Sequence, residues 1–214
     1  MFAILLLTLL SREASSNARF ARQIDSTIGA HVAAWHNYFR SQVASGNVVN
    51  GRTGSNCPQG SNLNQMVYDG LLAADAQNYA NQCPNNEQGS PVSSRPNQGE
   101  NVMIYYTTTL NTEYALFGAI QRWWDDIAVN GVNRRMIFRQ FLADKALPPV
   151  RFTQMAWALT YRVGCAVAVC QGRTVVVCRY SPRGNIVDES IYRLGSPCSG
   201  CTTSCVGGTL CYMS

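Results

Sequence analysis

Lysine is nearly missing from this chain: Lys145 is the only one among 17 basic residues, the rest being arginine. Histidine occurs twice, at His31 and His36, and charged residues of every kind make up only 14% of the 214 positions. Each shortage narrows the field. A Ser/His/Asp or Cys–His catalytic set would need His31 or His36 as its base, yet neither stands in a protease-like context and no Gly-x-Ser-x-Gly elbow occurs. His36 reads as a hydrogen-bonded structural residue of a helix, and His31 as an exposed one. No Asn-x-Ser/Thr sequon is present, so N-glycosylation is not expected. No nucleic-acid motif and no basic repeat interleaved with aromatics is found, which argues against a nucleic-acid partner. The cluster Arg134, Arg135, Arg139 reads as a solvated helix face, with attraction for phosphates or anionic lipid as the alternative.

Long apolar runs are also wanting. Residues 1–10 are apolar but too short to span a bilayer, so the chain is not expected to be embedded in a membrane. Small residues follow up to Ala18 and suit cleavage after Ser16 or Ala18, giving a signal peptide over 1–18. The usual basic n-region is missing, as for a truncated or misplaced start.

What the chain does have is apolar residues, 46% of the total, and nine cysteines: Cys57, Cys83, Cys165, Cys170, Cys178, Cys198, Cys201, Cys205 and Cys211. The first is enough for a sizeable core. The second, behind an export leader, reads as disulfides in a secreted protein. Zinc is the rival, since Cys198-Ser199-Gly200-Cys201 has ligand-like spacing, but no second pair matches it. Nine is odd, so at least one thiol is free or bonded between chains.

Ile24, Ile28, Val32, Trp35, Phe39 and Val43 recur at steps of three and four, one helical stripe with Asp25 or Ser26 as N-cap and Gly46 as its stop. A polar loop over 47–63 precedes a second helix after Asp69, carrying Leu72, Ala76, Tyr79 and Cys83. Residues 84–99 are again loop-like. Asn111 or Thr112 caps a third helix with Phe117, Ile120, Trp124 and Ile127 on one face, and Asn133 opens a fourth amphipathic stretch with Ile137, Phe141 and Leu142, ended by Pro148-Pro149. Runs from Tyr161 to Cys170 and Arg173 to Tyr180, joined across Gln171-Gly172, predict an antiparallel hairpin. Helices before and between strands without regular alternation make the fold class α+β. The Cys/Gly/Ser-rich tail is too small to build a core without cross-links.

Several strings carry a sharper signal: Phe152-Thr153-Gln154-Met155-Ala156-Trp157, Val163-Gly164-Cys165, Val177-Cys178-Arg179-Tyr180 and Gly184-Asn185-Ile186, preceded by His36-Asn37 with Arg40, Gly99-Glu100-Asn101 and Trp123-Trp124-Asp125-Asp126. In this order they resemble the CAP superfamily of cysteine-rich secretory, antigen 5 and pathogenesis-related 1 proteins, and within it the venom-allergen-like secreted proteins of nematodes. The resemblance implies a three-layer α-β-α sandwich over residues 24–188 and a short disulfide-rich hinge over 189–214. It also implies bridges Cys83–Cys170 and Cys165–Cys178, with Cys198, Cys201, Cys205 and Cys211 paired among themselves. Cys57, outside the matching strings, is then the candidate free thiol.

Members of that family commonly carry two histidines and two glutamates in a central cleft, where some hold zinc. Here the matching positions are Glu87, Glu100, Asp126 and Arg151. The exchange removes both imidazole nitrogens and adds a guanidinium that cannot ligate a metal and repels one. Arg151 is expected to pair with Glu100 or Asp126, hold both ionised and lower their pKa, giving an internal ion-pair cluster without cofactor. A calcium or magnesium site on Glu87, Glu100 and Asp126 and an anion site on Arg151 are the alternatives.

The family likeness thus implies a secreted, non-enzymatic binding protein for extracellular signalling, immune modulation or lipid capture. Its expected partners are a sterol or fatty acid, held between helices or beneath the loop Val102-Met103-Ile104-Tyr105-Tyr106, or a cell-surface or immune protein. For that run a buried strand is the competing reading. A hydrolase or metal-binding protein using the acidic cleft is the alternative function, and ion-channel modulation through the tail a third.

Overall fold

The computed structural model describes residues 20–22 and 24–213, so the expected signal peptide lies outside the described residues. The folding logic centres on a twisted antiparallel pair, β4 (Arg162–Cys170) and β5 (Arg173–Ser181), turned at Gly172 with φ +69°. A left-handed turn residue is cheapest as glycine. β3 (Gly99–Tyr105) pairs antiparallel with the outer edge of β5, β1 (Phe20–Arg22) lies on the other side of β4, and β2 (Val67–Tyr68) joins β4 in parallel.

Both faces of this sheet are covered, and the strand period of two sorts the residues. Ala166, Ala168, Val175, Val177, Val102 and Ile104 face helix α2 (Gly70–Ala80) with Ala76 and Ala80. Cys165, Val167, Val176, Cys178 and Tyr180 belong to the larger core with α1 (Ser26–Ala44), α3 (Thr112–Trp124) and α6 (Val150–Ala156). The result is a helix–sheet–helix sandwich. Small residues let α2 come close: a Cβ on Gly164 would stand 2.2 Å from the backbone nitrogen of Ala73. That position admits glycine alone.

The helices start where short polar caps accept backbone N–H groups. Asp25 accepts from Ile28, Asp69 from Leu71 and Leu72, and Asn111 from Glu113. Cys83, placed on α2 by periodicity, falls past its end with φ +54°. The third helix buries Ile120 and Trp124 of the expected face, while Ile127, also buried, lies past its end. Its buried residues are Ala115, Leu116, Ala119, Ile120, Trp123 and Trp124, whereas Phe117 is exposed and packs edge-on against Trp35. The fourth amphipathic helix does not form. Asn133 instead bonds the backbone of Ile137 in a turn, Ile137 bridges to Ser190, and helix is confined to α4 (Asp126–Val129) and one turn, α5 (Gln140–Ala143), on which Leu142 is buried and Phe141 exposed.

Four disulfides close the chain: Cys83–Cys170, Cys165–Cys178, Cys198–Cys205 and Cys201–Cys211, leaving Cys57 as a buried free thiol among the described residues. Burial pushes that thiol up to about 12, so it is inert at neutral pH. The tail forms a small ribbon of β6 (Cys205–Val206) and β7 (Leu210–Cys211). It is not detached at residue 188. Ile191, Tyr192 and Leu210 sit in the main core, and the Cys211 backbone exchanges hydrogen bonds with Leu63 and Gln65. Among the described residues no helix is long and apolar enough to cross a membrane.

Candidate functional site

A cavity of about 560 Å³ opens where α6, the start of α4, β3 and the loop before β3 converge. Each expected cleft residue lines it. Arg151 is the second residue of α6, one past Val150, and the helix is preceded by Pro149, whose ring cannot continue a helix backwards but suits its start. Asp126 begins α4, where the chain turns off the end of α3. Glu100 belongs to β3 and Glu87 to the polar loop.

Arg151 is gripped from two sides. Its Nε and Nη2 donate to Asp126 Oδ2 and Oδ1 at 2.8 and 3.1 Å, a bidentate pair, and its Nη1 donates to Glu87 Oε2 at 2.7 Å. The second Glu87 oxygen accepts from the Ile104 N–H at 3.0 Å, so this side chain also satisfies the open edge of β3. Glu100 is not among the partners of Arg151. Its fully buried carboxylate turns away, accepting from the Ser90 N–H and hydroxyl, with Arg179 Nε at 2.7 Å in a bent contact and Arg95 Nε at 3.4 Å. Asp126 and Glu87 therefore answer to Arg151, and Glu100 to Arg179 and Arg95.

The charges follow from burial. Asp126 was expected to be held low by Arg151, but burial dominates and its pKa is raised, with the Arg151 bonds only partly offsetting it. Burial also works against the charge on Arg151, yet Asp126 and Glu87 together outweigh it and the guanidinium pKa rises. Both values rise, which favours the charge on Arg151 and disfavours that on Asp126, because Arg151 gathers two carboxylates, whereas Asp126 bears its burial with one bidentate partner and Arg122 at a distant 3.9 Å. Chemically the site is occupied by itself: both oxygens of Asp126 already accept from Arg151, and among the described residues no hydroxyl, thiol or imidazole lines the cavity. The donor set does not fit zinc, because a fixed cation sits among its carboxylates and their oxygens are already bonded.

Behind the cleft lies a polar relay. His36, fully buried on α1, has Nδ1 2.7 Å from the Val32 carbonyl, which can only accept, so Nε2 is the acceptor for the Tyr180 hydroxyl at 3.1 Å. Asn101 Nδ2 lies within reach of that hydroxyl at 3.4 Å and donates to the Arg151 carbonyl at 3.1 Å. Burial lowers the His36 pKa to about 4, with the Val32 bond opposing and Arg40 adding to the shift. Because the unfolded chain takes up a proton near 6.5 and the native one only near 4, stability should fall as pH drops through that window. The full loss is about 3 kcal/mol. Urea unfolding at stepped pH should show a shallower acid decline for His36→Gln than for the wild type. Parallel curves would assign the acid sensitivity elsewhere. His31 stands outside this relay, exposed and paired with Glu113 at 2.6 Å.

The run from Val102 to Tyr106 is not a loop over a ligand. Val102 and Ile104 point from β3 into the α2 layer, Met103 and Tyr105 pack against the main core, and only Tyr106, past the strand, is exposed. Alternation on a covered sheet leaves no mobile apolar face there. An apolar groove lies elsewhere, a cavity of about 390 Å³ between α1 and α3 lined by Trp35, Asn111, Glu113, Tyr114 and Phe117. Exposed aromatics one helical turn apart, Tyr114 and Phe117, are the sequence signal for it.

Comparison with known proteins agrees with this architecture. A family model described as CAP, the cysteine-rich secretory protein family, matches residues 34–180. The "Ancylostoma secreted protein" of Ancylostoma caninum is 38% identical over 170 residues, covering 78% of this chain and 39% of that protein. The chain thus spans well under half the length of this relative. Among solved structures, Na-ASP-1 superposes with a TM-score of 0.82 at 32% identity, over 94% of this chain and 49% of that one. NaASP2 with Zn2+ gives 0.80 at 29% identity, over 88% and 96%. The chain belongs to the CAP family.

Proposed function

We propose that this CAP-family chain acts as a secreted, non-enzymatic binding protein whose central cleft has exchanged metal chemistry for an internal ion-pair lock. The observation that carries this reading is the three-bond grip of Asp126 and Glu87 on Arg151. It supplies a cation where a metal would need a donor, and it leaves no free base for hydrolysis. Four disulfides and a secreted relative support an extracellular setting. For the partner we infer a fatty acid or sterol in the aromatic groove between α1 and α3, whose lining is largely apolar. A cell-surface or immune protein is the partner left if that groove takes no lipid.

Elemental analysis after dialysis against micromolar zinc should find no stoichiometric metal. Titration with a fluorescent fatty acid and a fluorescent sterol should show saturable binding that Phe117→Gln abolishes without changing the melting temperature. Zinc retained by the wild type and lost in Glu100→Gln would refute the lock. Lipid binding absent from the wild type would redirect the function to a protein partner.

A further inference from the structure

The turn of Glu100 away from the cleft leaves charge on the opposite side of the loop before β3. A second cavity, of about 310 Å³, opens there, lined by Asp75 and Asn78 of α2, Ser94, Arg95 and Asn97 of the loop, and Arg179 of β5. Arg95 and Arg179 are both largely buried, their side chains 10% and 8% exposed, and both lean on one carboxylate, that of Glu100. Their remaining bonds go to neutral oxygens. Arg95 donates to the Ser90 and Gln98 carbonyls and to the Ser90 hydroxyl. Arg179 donates to the Gln98 side-chain oxygen and the Ser90 hydroxyl. Among the described residues each of the four terminal guanidinium nitrogens has one such acceptor, although each carries two N–H groups.

The surplus positive charge shows in the behaviour of Arg95. Its pKa is lowered by burial, and the neighbouring Arg179 and Arg183 push it further down while Glu100 opposes them. Asp75 at the rim is engaged by the Gln98 amide at 2.7 Å. Two buried cations sharing one anion, beside hydroxyl and amide donors in an open hollow, form a receptor for a compact multivalent acceptor.

We infer that this second pocket binds a tetrahedral oxyanion, a phosphate or sulfate group, between Arg95 and Arg179. The group is either the free ion or the terminus of an ester, and the pocket lies apart from the lipid groove and joins the cleft only through Glu100, which stands between them.

Isothermal titration of the full chain with inorganic phosphate, in a buffer of low ionic strength, tests it. The expected result is saturable 1:1 binding. Asn78→Asp, an exposed helix position, adds an anion beside the site and should weaken binding about tenfold, whereas Asp75→Asn removes one and should tighten it several-fold. Neither change touches the core, so both variants should melt with the wild type even if Arg95→Gln fails to fold. A parallel titration with glucose 6-phosphate separates the sources: tighter binding of the ester means that the group arrives on a carrier, weaker binding means the free ion. No saturable binding of either, or binding indifferent to both surface variants, would overturn the inference.

Discussion

Arg40→Met should remove most of the folding stability of this protein. Arg40 is fully buried on α1 and, among the described residues, makes no ion pair; its guanidinium donates to the carbonyls of Asn64, Met155, Trp157, Ala158 and Thr160 at 2.7 to 3.2 Å. Those carbonyls belong to the loop before β2 and to the descent from α6 into β4, segments far apart in sequence that meet here through the Asn64 N–H and the Ala158 carbonyl at 3.0 Å. Burial is costly for the charge and lowers its pKa to about 9. A buried ion pair can often be exchanged for apolar residues without loss, because both partners leave together. Here the partners are backbone oxygens, which cannot be substituted away. The carbonyls of Trp157 and Ala158 keep backbone donors in Thr160 and Asn64, but leaving those of Asn64, Met155 and Thr160 dry, at about 1–3 kcal/mol each, outweighs the relief of the desolvated charge and is a large part of the whole stability of a typical domain. Arg40→Lys keeps the charge but offers three donors without the planar fork, so it should fall between the two. Urea titration of both variants gives the ranking. A methionine variant within about 1 kcal/mol of the wild type would show that the carbonyls find other donors, and that the guanidinium is a passenger.

The residue that matters so much was visible only as part of a string. His36-Asn37 with Arg40 helped to identify the family, but no composition rule assigns a lone arginine on an apolar helical stripe to a set of distant carbonyls. The stripe itself was legible in α1, since Val32, Phe39 and Val43 are large and evenly spaced. In α3 the same counting picked Phe117 and missed Ala115 and Ala119, because alanine hardly registers as apolar although a tight helix–sheet contact needs it. The hairpin of β4 and β5 was legible from its β-branched residues and its glycine turn. The stretch from Asn133 to Pro148 was not, because side-chain bonds from Asn133 and a bridge to Ser190 displace the helix its pattern suggests.

For the cleft, the family likeness brought Glu87, Asp126 and Arg151 to one place, and chemistry named the attraction of Arg151 for Asp126 but not its bond to Glu87. It did not reveal that Glu100 would turn toward Arg179 and Arg95. Arg179 stood in a matching string without a role, and Arg95 in a loop whose path no periodicity describes. The raised pKa of Asp126 was equally hidden: opposite charge argued for a fall, and only the depth of burial reverses the sign.

Removing the Cys83–Cys170 bridge should be the most damaging of the single cross-link losses. It joins positions 87 apart, against 13, 7 and 10 for the others. In the chain-entropy model the long loop contributes about 4–5 kcal/mol, and a tail bridge only about 2–3. The structural reason points the same way. Cys83 follows the end of α2 and Cys170 ends β4, so the bond holds the α2 layer to the sheet at the end remote from the close approach at Gly164. That layer is thin, built on Ala76, Ala80, Ala166 and Ala168, and has less apolar area than the other side with which to hold itself. Cys83→Ser with Cys170→Ser should therefore lower stability by about 4 kcal/mol and speed exchange of α2 amides first, whereas Cys198→Ser with Cys205→Ser should affect only the tail. Denaturant midpoints and hydrogen exchange on the two double variants decide it, with the single thiol of Cys57 as the count expected in each after unfolding. Equal losses in the two variants would mean that the layers are held by packing alone.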